Sequence, residues 1–271
     1  MNDFVSEHQV DEIYCTIPGS NSDKISNLLL FAEKHMIRFY IVPEFYRDIK
    51  KSMVMEIMEF IPLLSIRNEP LQSVSNRAVK RTFDIIFSTL VLVFLYPMLY
   101  IVIGLLIKLS SPGPILFKQK RTGIYGKEFD CYKFRTMKVN KDADLMQAVK
   151  NDPRTTKIGS FLRRTNLDEM PQFLNVLFGD MSVVGPRPHM LKHTEQYSKL
   201  IDKYMVRHLV KPGITGWAQI TGYRGETKTL EQMEGRVKRD VWYIENWSFF
   251  LDLKIIFVTV FNMFRGEKNA Y

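Results

Sequence analysis

The stretch "IIFSTLVLVFLYPMLYIVIGLLI", residues 85–107, constrains this chain more than any other: 23 residues pass without one charged side chain. A bilayer-spanning helix needs about 20 such residues, so a straight run would be long enough to cross. Pro97 falls near the middle, where proline removes a backbone hydrogen bond and kinks a helix. Basic residues flank both ends: Arg77, Lys80 and Arg81 before, Lys108, Lys118, Lys120 and Arg121 after. Positive charge favours the cytoplasmic side, so both ends favour the same side. Each half, roughly 12 residues, makes about 18 Å of helix, enough to reach mid-membrane and return. A re-entrant helix over about 83–109, bent at Tyr96–Pro97, meets both constraints. A kinked span is the alternative that proline also allows.

The whole chain has 271 residues, 46% hydrophobic and 25% charged, which predicts a folded core. Its formal net charge of +9 points to a polyanionic partner: nucleic acid, anionic lipid or a phosphorylated substrate. Cys15 and Cys131 offer neither a disulfide framework nor metal-ligand spacing, which fits a reducing compartment. His189 and His193 lie four apart without an HExxH pattern and read as structural or surface residues. The first residues, "MNDFVSEHQVDE", carry no signal-peptide pattern.

Upstream of the apolar run, "EIYCTI" and "IRFYIV" read as strands on either side of a helix begun at Ser22 or Asp23. This is a partial βαβ unit over residues 1–66, a Rossmann-like remnant without a GxGxxG loop. Residues 67–79 are polar and predict a linker. Downstream, "ILFKQKRTG" and "EFDCYKFRTM" alternate like the strands of a hairpin. Residues 138–152 predict a mobile helix or loop, and "TKIGSFLRRT" a helix. "FLNVLFG" continues a helix from Asp168–Glu169 and stops at Gly179, and "GDMSVVGPRP" predicts a loop. The apolar segment over 247–264 allows either an interfacial helix, introduced by Trp242, Tyr243 and Trp247, or a buried amphipathic one.

Four elements carry residues that phosphate chemistry needs. Asp168 and Glu169 are neighbours on a helix, pointing about 100° apart, so one can attack phosphorus or hold a proton while the other holds Mg²⁺. The competing explanation is a plain capping box from Asn166 to Glu169, against which Pro171 counts. Arg163, Arg164 and, between two prolines, Arg187 supply guanidinium forks for phosphate oxygens. Lys133 and Arg135 fall on one face of a strand by alternation. The glycines of "KPGITGWAQ" allow close backbone approach to a ligand. A nucleic-acid partner is disfavoured: there is no helix-turn-helix, zinc-finger or RNP pattern, and the basic residues cluster around the apolar run, where anionic headgroups would lie.

From about Asn76 onward the chain resembles the bacterial monotopic phosphoglycosyl transferases, the polyprenyl-phosphate sugar-phosphate transferases. The strings that carry the resemblance are "KRTFDII", the proline-broken run, "SPGPILFKQKRTG", "YKFRTM", "LRRTNLDEMPQFLNVLFGDMSVVGPRP", "KPGITGWAQITG" and "DVWYIENWSFFLDLKII", in that order. The match is closest to the branch that initiates capsule or exopolysaccharide repeat units with a hexose phosphate.

That resemblance implies an α/β, membrane-associated catalytic domain over 80–271, with a proline-broken re-entrant helix and interfacial helices, at the cytoplasmic face of the inner membrane. It implies transfer of a sugar phosphate from a UDP-sugar to undecaprenyl phosphate through a covalent enzyme, with Mg²⁺ and release of UMP. It implies Asp168 as nucleophile, Glu169 as its Mg²⁺-associated partner, Arg163 and Arg187 as phosphate contacts and Asp240 as a further active-site acid. Tyr96 stands where Ser is frequent in the family, and Lys211 where Arg is, keeping charge but losing the fork. Longer members carry a transmembrane bundle and an α/β domain upstream, so residues 1–66 correspond to the tail of that domain, and they suggest a homodimer. The competing functions are a catalytically silent membrane scaffold of the same fold and a membrane-tethered nucleic-acid binder.

Overall fold

The computed structural model describes residues 8, 10, 12–16, 22–34, 37–42, 54–58, 61–65, 69–139, 152–225 and 229–265. The chain divides into two units, Met1–Arg67 and Asn68–Tyr271. In the first unit, β1 (Glu12–Cys15) and β2 (Arg38–Ile41) pair in parallel, joined by α1 (Ser22–Lys34), whose Ala32 is fully buried. That is the predicted βαβ fragment. The same unit holds an unexpected antiparallel pair, β3 (Val54–Met58) and β4 (Ile61–Ser65).

The second unit starts earlier as helix than its polar composition suggests. A 3₁₀ turn, Pro70–Gln72, is followed directly by α2 (Val74–Leu90), so much of the stretch expected as a linker over 67–79 is helical. Its polar residues have partners to meet: Asn76 Nδ2 donates to the Pro70 carbonyl at 2.8 Å. A π-helical turn, Val91–Leu95, then leads into α3 (Tyr96–Ser110). The helix therefore passes through Tyr96–Pro97 without breaking into coil. Pro97 has no N–H to give, and the widened turn before it relieves the clash of its ring with the preceding carbonyls. From Val74 to Ser110 this is the one helix, among the described residues, long and apolar enough to cross a membrane by length and composition.

Both arms of that helix are fastened to the same unit. From α2, Asp84 accepts hydrogen bonds from Ser182 Oγ (3.0 Å) and Val183 N (2.9 Å), and Arg81 donates to the carbonyls of Val176 and Leu177. From α3, Ile103 and Ile107 are buried with Phe134 and Leu162, while the Tyr96 and Tyr100 rings lie against Phe134. Between these anchors, Val93, Phe94, Met98 and Ile101 are exposed.

The remaining elements enclose the core. Strands β5 (Leu116–Thr122) and β6 (Glu128–Phe134) form the predicted antiparallel hairpin. Helix α4 (Lys157–Thr165), a 3₁₀ turn (Leu167–Glu169) and α5 (Gln172–Phe178) follow. The expected mobile stretch over 138–152 lies almost wholly outside the described residues. The segment expected as a loop over 179–188 contains a buried strand, β7 (Ser182–Val184), parallel to β8 (Gly213–Thr215). Helices α6 (Leu191–Ser198), α7 (Trp217–Ile220), α8 (Leu230–Glu245) and α9 (Phe249–Arg265) complete the chain, with a 3₁₀ segment at Tyr204–Leu209.

The glycines of "KPGITG" serve that strand pair. A Cβ on Gly213 would meet the Gly185 amide nitrogen at 2.0 Å, so the two backbones approach only because both residues lack side chains. Helix α9 has the buried face of the amphipathic alternative, and of the aromatics expected to introduce an interfacial helix Tyr243 and Trp247 are buried while Trp242 is exposed. Asp252 and Ile255 are buried against the core, while Phe250 and Phe257 are exposed.

Candidate active site

Local geometry sets the carboxylate pair. Thr156 caps α4, its Oγ1 accepting from Gly159 N at 3.0 Å. The helix ends at Asn166 in the left-handed region (φ 57°), a conformation Asn tolerates better than most residues. The chain then turns directly into the 3₁₀ turn bearing Asp168 and Glu169, and α5 starts only after Pro171. The capping-box alternative does not form: the Asn166 side chain makes no cap hydrogen bond and instead accepts from Arg224 Nη2. Nor does one helix run from the acids to Gly179, because Pro171 separates the two short helices.

Glu169 is held by two cations. Arg187 grips it with both prongs, Nη2 to Oε1 at 2.5 Å and Nη1 to Oε2 at 3.1 Å, and Lys133 Nζ reaches Oε1 at 2.6 Å. Burial alone would raise its pKa, but Arg187 and Lys133 outweigh burial and hold the carboxyl well below the usual range. The Glu169 carboxylate in turn raises the pKa of the Arg187 guanidinium. Asp168 is different. Among the described residues nothing donates a hydrogen bond to its carboxylate, and the nearest cation, Lys133 Nζ, stands 4.0 Å from Oδ2. Burial pushes Asp168 up to about 6, with the negative Glu169 adding to the rise and Lys133, Arg163 and Arg187 opposing it. The neighbouring acids thus have distinct environments: one locked in an ion pair, the other buried with free lone pairs.

Arg163 lies close enough to Asp168 for each charge to affect the other's titration, and its Nε donates to Thr136 Oγ1 at 2.9 Å. Arg164 points into solvent. Three other candidates lie elsewhere. Arg135, expected beside Lys133, donates instead to the carbonyls of Ser111 (2.8 Å) and Pro112 (2.5 Å), satisfying the end of α3; strand β6 stops at Phe134, so the alternation that paired the two ends there. Lys211 is near Gly179, Arg81, Asp84 and Asp180. Asp240 is buried behind the acids, accepting from Arg207 Nη2 at 2.8 Å. Two contributors went unseen in the sequence: Thr136, which orients Arg163, and Arg207, one basic residue among many until its burial is known.

No cluster of three or more His, Cys, Asp or Glu suited to a metal exists among the described residues. Two adjacent buried carboxylates nevertheless fit Mg²⁺, which is commonly held by one or two carboxylates plus substrate phosphates. A site of this kind, two acids ringed by Lys133, Arg163 and Arg187, suits a densely anionic substrate.

The model of the family described as bacterial sugar transferase matches residues 75–266. A protein of Escherichia coli K12 named UDP-glucose:undecaprenyl-phosphate glucose-1-phosphate transferase is 56% identical over 218 residues, covering 80% of this chain and 46% of that protein. A Klebsiella pneumoniae protein of the same name is 47% identical over 276 residues, covering 100% of this chain and 58% of its own length. A third so named, from Caulobacter vibrioides, is 44% identical over 211 residues, covering 77% of this chain and 78% of that protein. The chain spans about half the length of the first two relatives. With the match running from the first turn of α2 into α9, the chain belongs to the bacterial sugar transferase family.

Proposed function

We propose that the chain transfers glucose 1-phosphate from UDP-glucose to undecaprenyl phosphate, yielding undecaprenyl-diphosphate-glucose and UMP, the initiating step of exopolysaccharide or capsule synthesis. The observation that carries this reading is Asp168, a buried carboxylate to which no described residue donates a hydrogen bond, beside an acid paired with two cations. The names of three relatives at 44–56% identity favour glucose as the sugar.

Asp168 attacks the sugar-linked phosphorus of the UDP-sugar. The bond from that phosphorus to the bridging oxygen breaks, and UMP leaves with the electron pair. A phosphate oxygen of undecaprenyl phosphate then attacks the acyl phosphate, and the Asp168 carboxylate is restored. Lys133, Arg163 and Arg187 offset the charge that gathers on the phosphoryl oxygens, in a site dry enough for such contacts to be strong. Mg²⁺, held by Asp168 and Glu169, would neutralise the diphosphate of the substrate.

The lipid acceptor requires the site to stand at headgroup height. A re-entrant helix fits that need: both its arms dock on the catalytic unit, and exposed Phe94, Met98 and Ile101 flank Pro97, where lipid would cover them. With the basic flanks, this favours the cytoplasmic face of the inner membrane. The test is UMP release from UDP-glucose, UDP-galactose and their N-acetylated counterparts, with undecaprenyl phosphate and Mg²⁺. UDP-glucose should be turned over fastest, and Asp168→Asn should abolish release; substantial turnover by that variant would remove Asp168 as nucleophile.

A further inference from the structure

Behind the carboxylate pair lies a second layer of charge. Arg207, on the 3₁₀ segment, is 2% exposed, as is Asp240 on α8. Arg207 Nη2 donates to Asp240 Oδ2 at 2.8 Å and to the main-chain carbonyl of Arg187, also at 2.8 Å. Its Nη1 contacts His189 Nδ1 at 2.5 Å. A guanidinium can only donate, so His189 accepts through Nδ1 and Arg207 is pinned on two sides. Burying this arginine has a cost that a solvent-facing loop would not require.

Arg187 sits between Pro186 and Pro188, neither of which has an N–H with which to fix the loop. Its three consecutive carbonyls are fixed from outside. Gly213 N donates to Pro186 O at 2.9 Å, Arg207 to Arg187 O, and Arg121 Nη1 to Pro188 O at 3.2 Å. Of these anchors, Arg207 alone holds the residue whose side chain reaches Glu169. Arg207 itself makes no hydrogen bond or ion pair to Asp168 or Glu169.

We infer that Arg207, oriented by Asp240, is a positioning residue: it fixes the backbone of Arg187 so that the guanidinium is presented to Glu169 and the substrate diphosphate. A rotation of the Arg187 peptide would swing the fork away, and the Arg207 hydrogen bond opposes it. This gives Asp240 a role one layer removed from the reacting atoms. The inference rests on the proposed function for the identity of the diphosphate.

The test is a double-mutant cycle on the full chain in detergent, read as affinity for UDP with Mg²⁺ by calorimetry and, in parallel, as UMP release from UDP-glucose. Arg207→Lys keeps the charge and loses the two-pronged geometry. It should weaken UDP binding about tenfold beside native Arg187, and by less than about twofold in an Arg187→Ala background. Equal losses in both backgrounds would overturn the inference, because a purely structural arginine affects both alike. If Arg207→Lys does not fold, Asp240→Asn takes its place in the same cycle with the same expectation. UDP binding without UMP release would overturn the proposed function and leave the cycle decisive, whereas no UDP binding at all would overturn both.

Discussion

Arg187 and Glu169 form a two-pronged ion pair, 2.5 Å and 3.1 Å, with Lys133 on the same carboxylate. Both Glu169 oxygens therefore accept from a cation, while no described residue donates a hydrogen bond to Asp168. Replacing Arg187 by Lys keeps a charge but loses the planar fork. Arg187→Lys should lower kcat/KM for UDP-glucose about a hundredfold, the cost of losing one preorganised donor, with thermal stability little altered. Steady-state UMP release and a melting curve on the same sample check both halves.

Asp168 is raised to about 6 chiefly by burial. A protonated carboxyl cannot attack phosphorus, so kcat/KM should fall as pH drops through about 6 when Mg²⁺ is limiting. A cation beside a carboxylate favours its charged form, so saturating Mg²⁺ should move that acid limb to lower pH. Rate profiles at low and high Mg²⁺ measure the displacement; coincident limbs would argue against a metal contact at Asp168.

Much of this site was legible in the sequence, for identifiable reasons. An uncharged run needs no tertiary information to be recognised, and β5 and β6 follow from alternation alone. The order of "LRRTNLDEMPQF" and "GPRP" brought Asp168, Glu169, Arg163 and Arg187 into one hypothesis. What stayed hidden depends on partners distant in sequence. Strand β7 exists because Gly185 meets Gly213, and Arg135 turns away because the carbonyls after α3 need a donor. Arg207 is one basic residue among many until its buried pairing with Asp240 is known.

Gly159 marks where α4 closes on the end of the hairpin. A Cβ there would stand 1.9 Å from the Thr136 carbonyl oxygen, a backbone atom with little room to yield. Gly159→Ala gains helix propensity but forces α4 off Thr136, the residue that orients Arg163. The expected result is a loss of about 1–3 kcal/mol with a greater than proportional loss of UMP release. Denaturant unfolding together with turnover tests this; a stabilised, active variant would contradict the packing described.

Lys80 joins α2 to α9 through Asp252, Nζ to Oδ2 at 2.6 Å, with Tyr243 and Trp247 also bonded to that carboxylate. Asp252→Ala strands a buried ammonium and should cost about 3–5 kcal/mol. The double variant Lys80→Met, Asp252→Leu should recover much of that loss, because it removes both charges. Melting temperatures of the single and double variants decide the point, and a single variant as stable as the native chain would refute the buried pair.

His208 is buried, its Nδ1 3.2 Å from the Gly123 carbonyl. Burial, then the nearby Arg207, lowers its pKa from 6.5 to about 4. The unfolded chain thus takes up this proton first. The stability His208 contributes is complete above pH 6.5 and is lost as pH falls towards about 4. Asp168 and Asp240, whose pKa values burial raises, act in the opposite sense over an overlapping range, so the total pH dependence does not isolate the histidine. The difference between native chain and His208→Gln does. Between pH 6.5 and 4 the native chain should lose up to about 3 kcal/mol more than the variant. Parallel pH dependences in denaturant unfolding would mean that His208 titrates alike in the folded and unfolded chain.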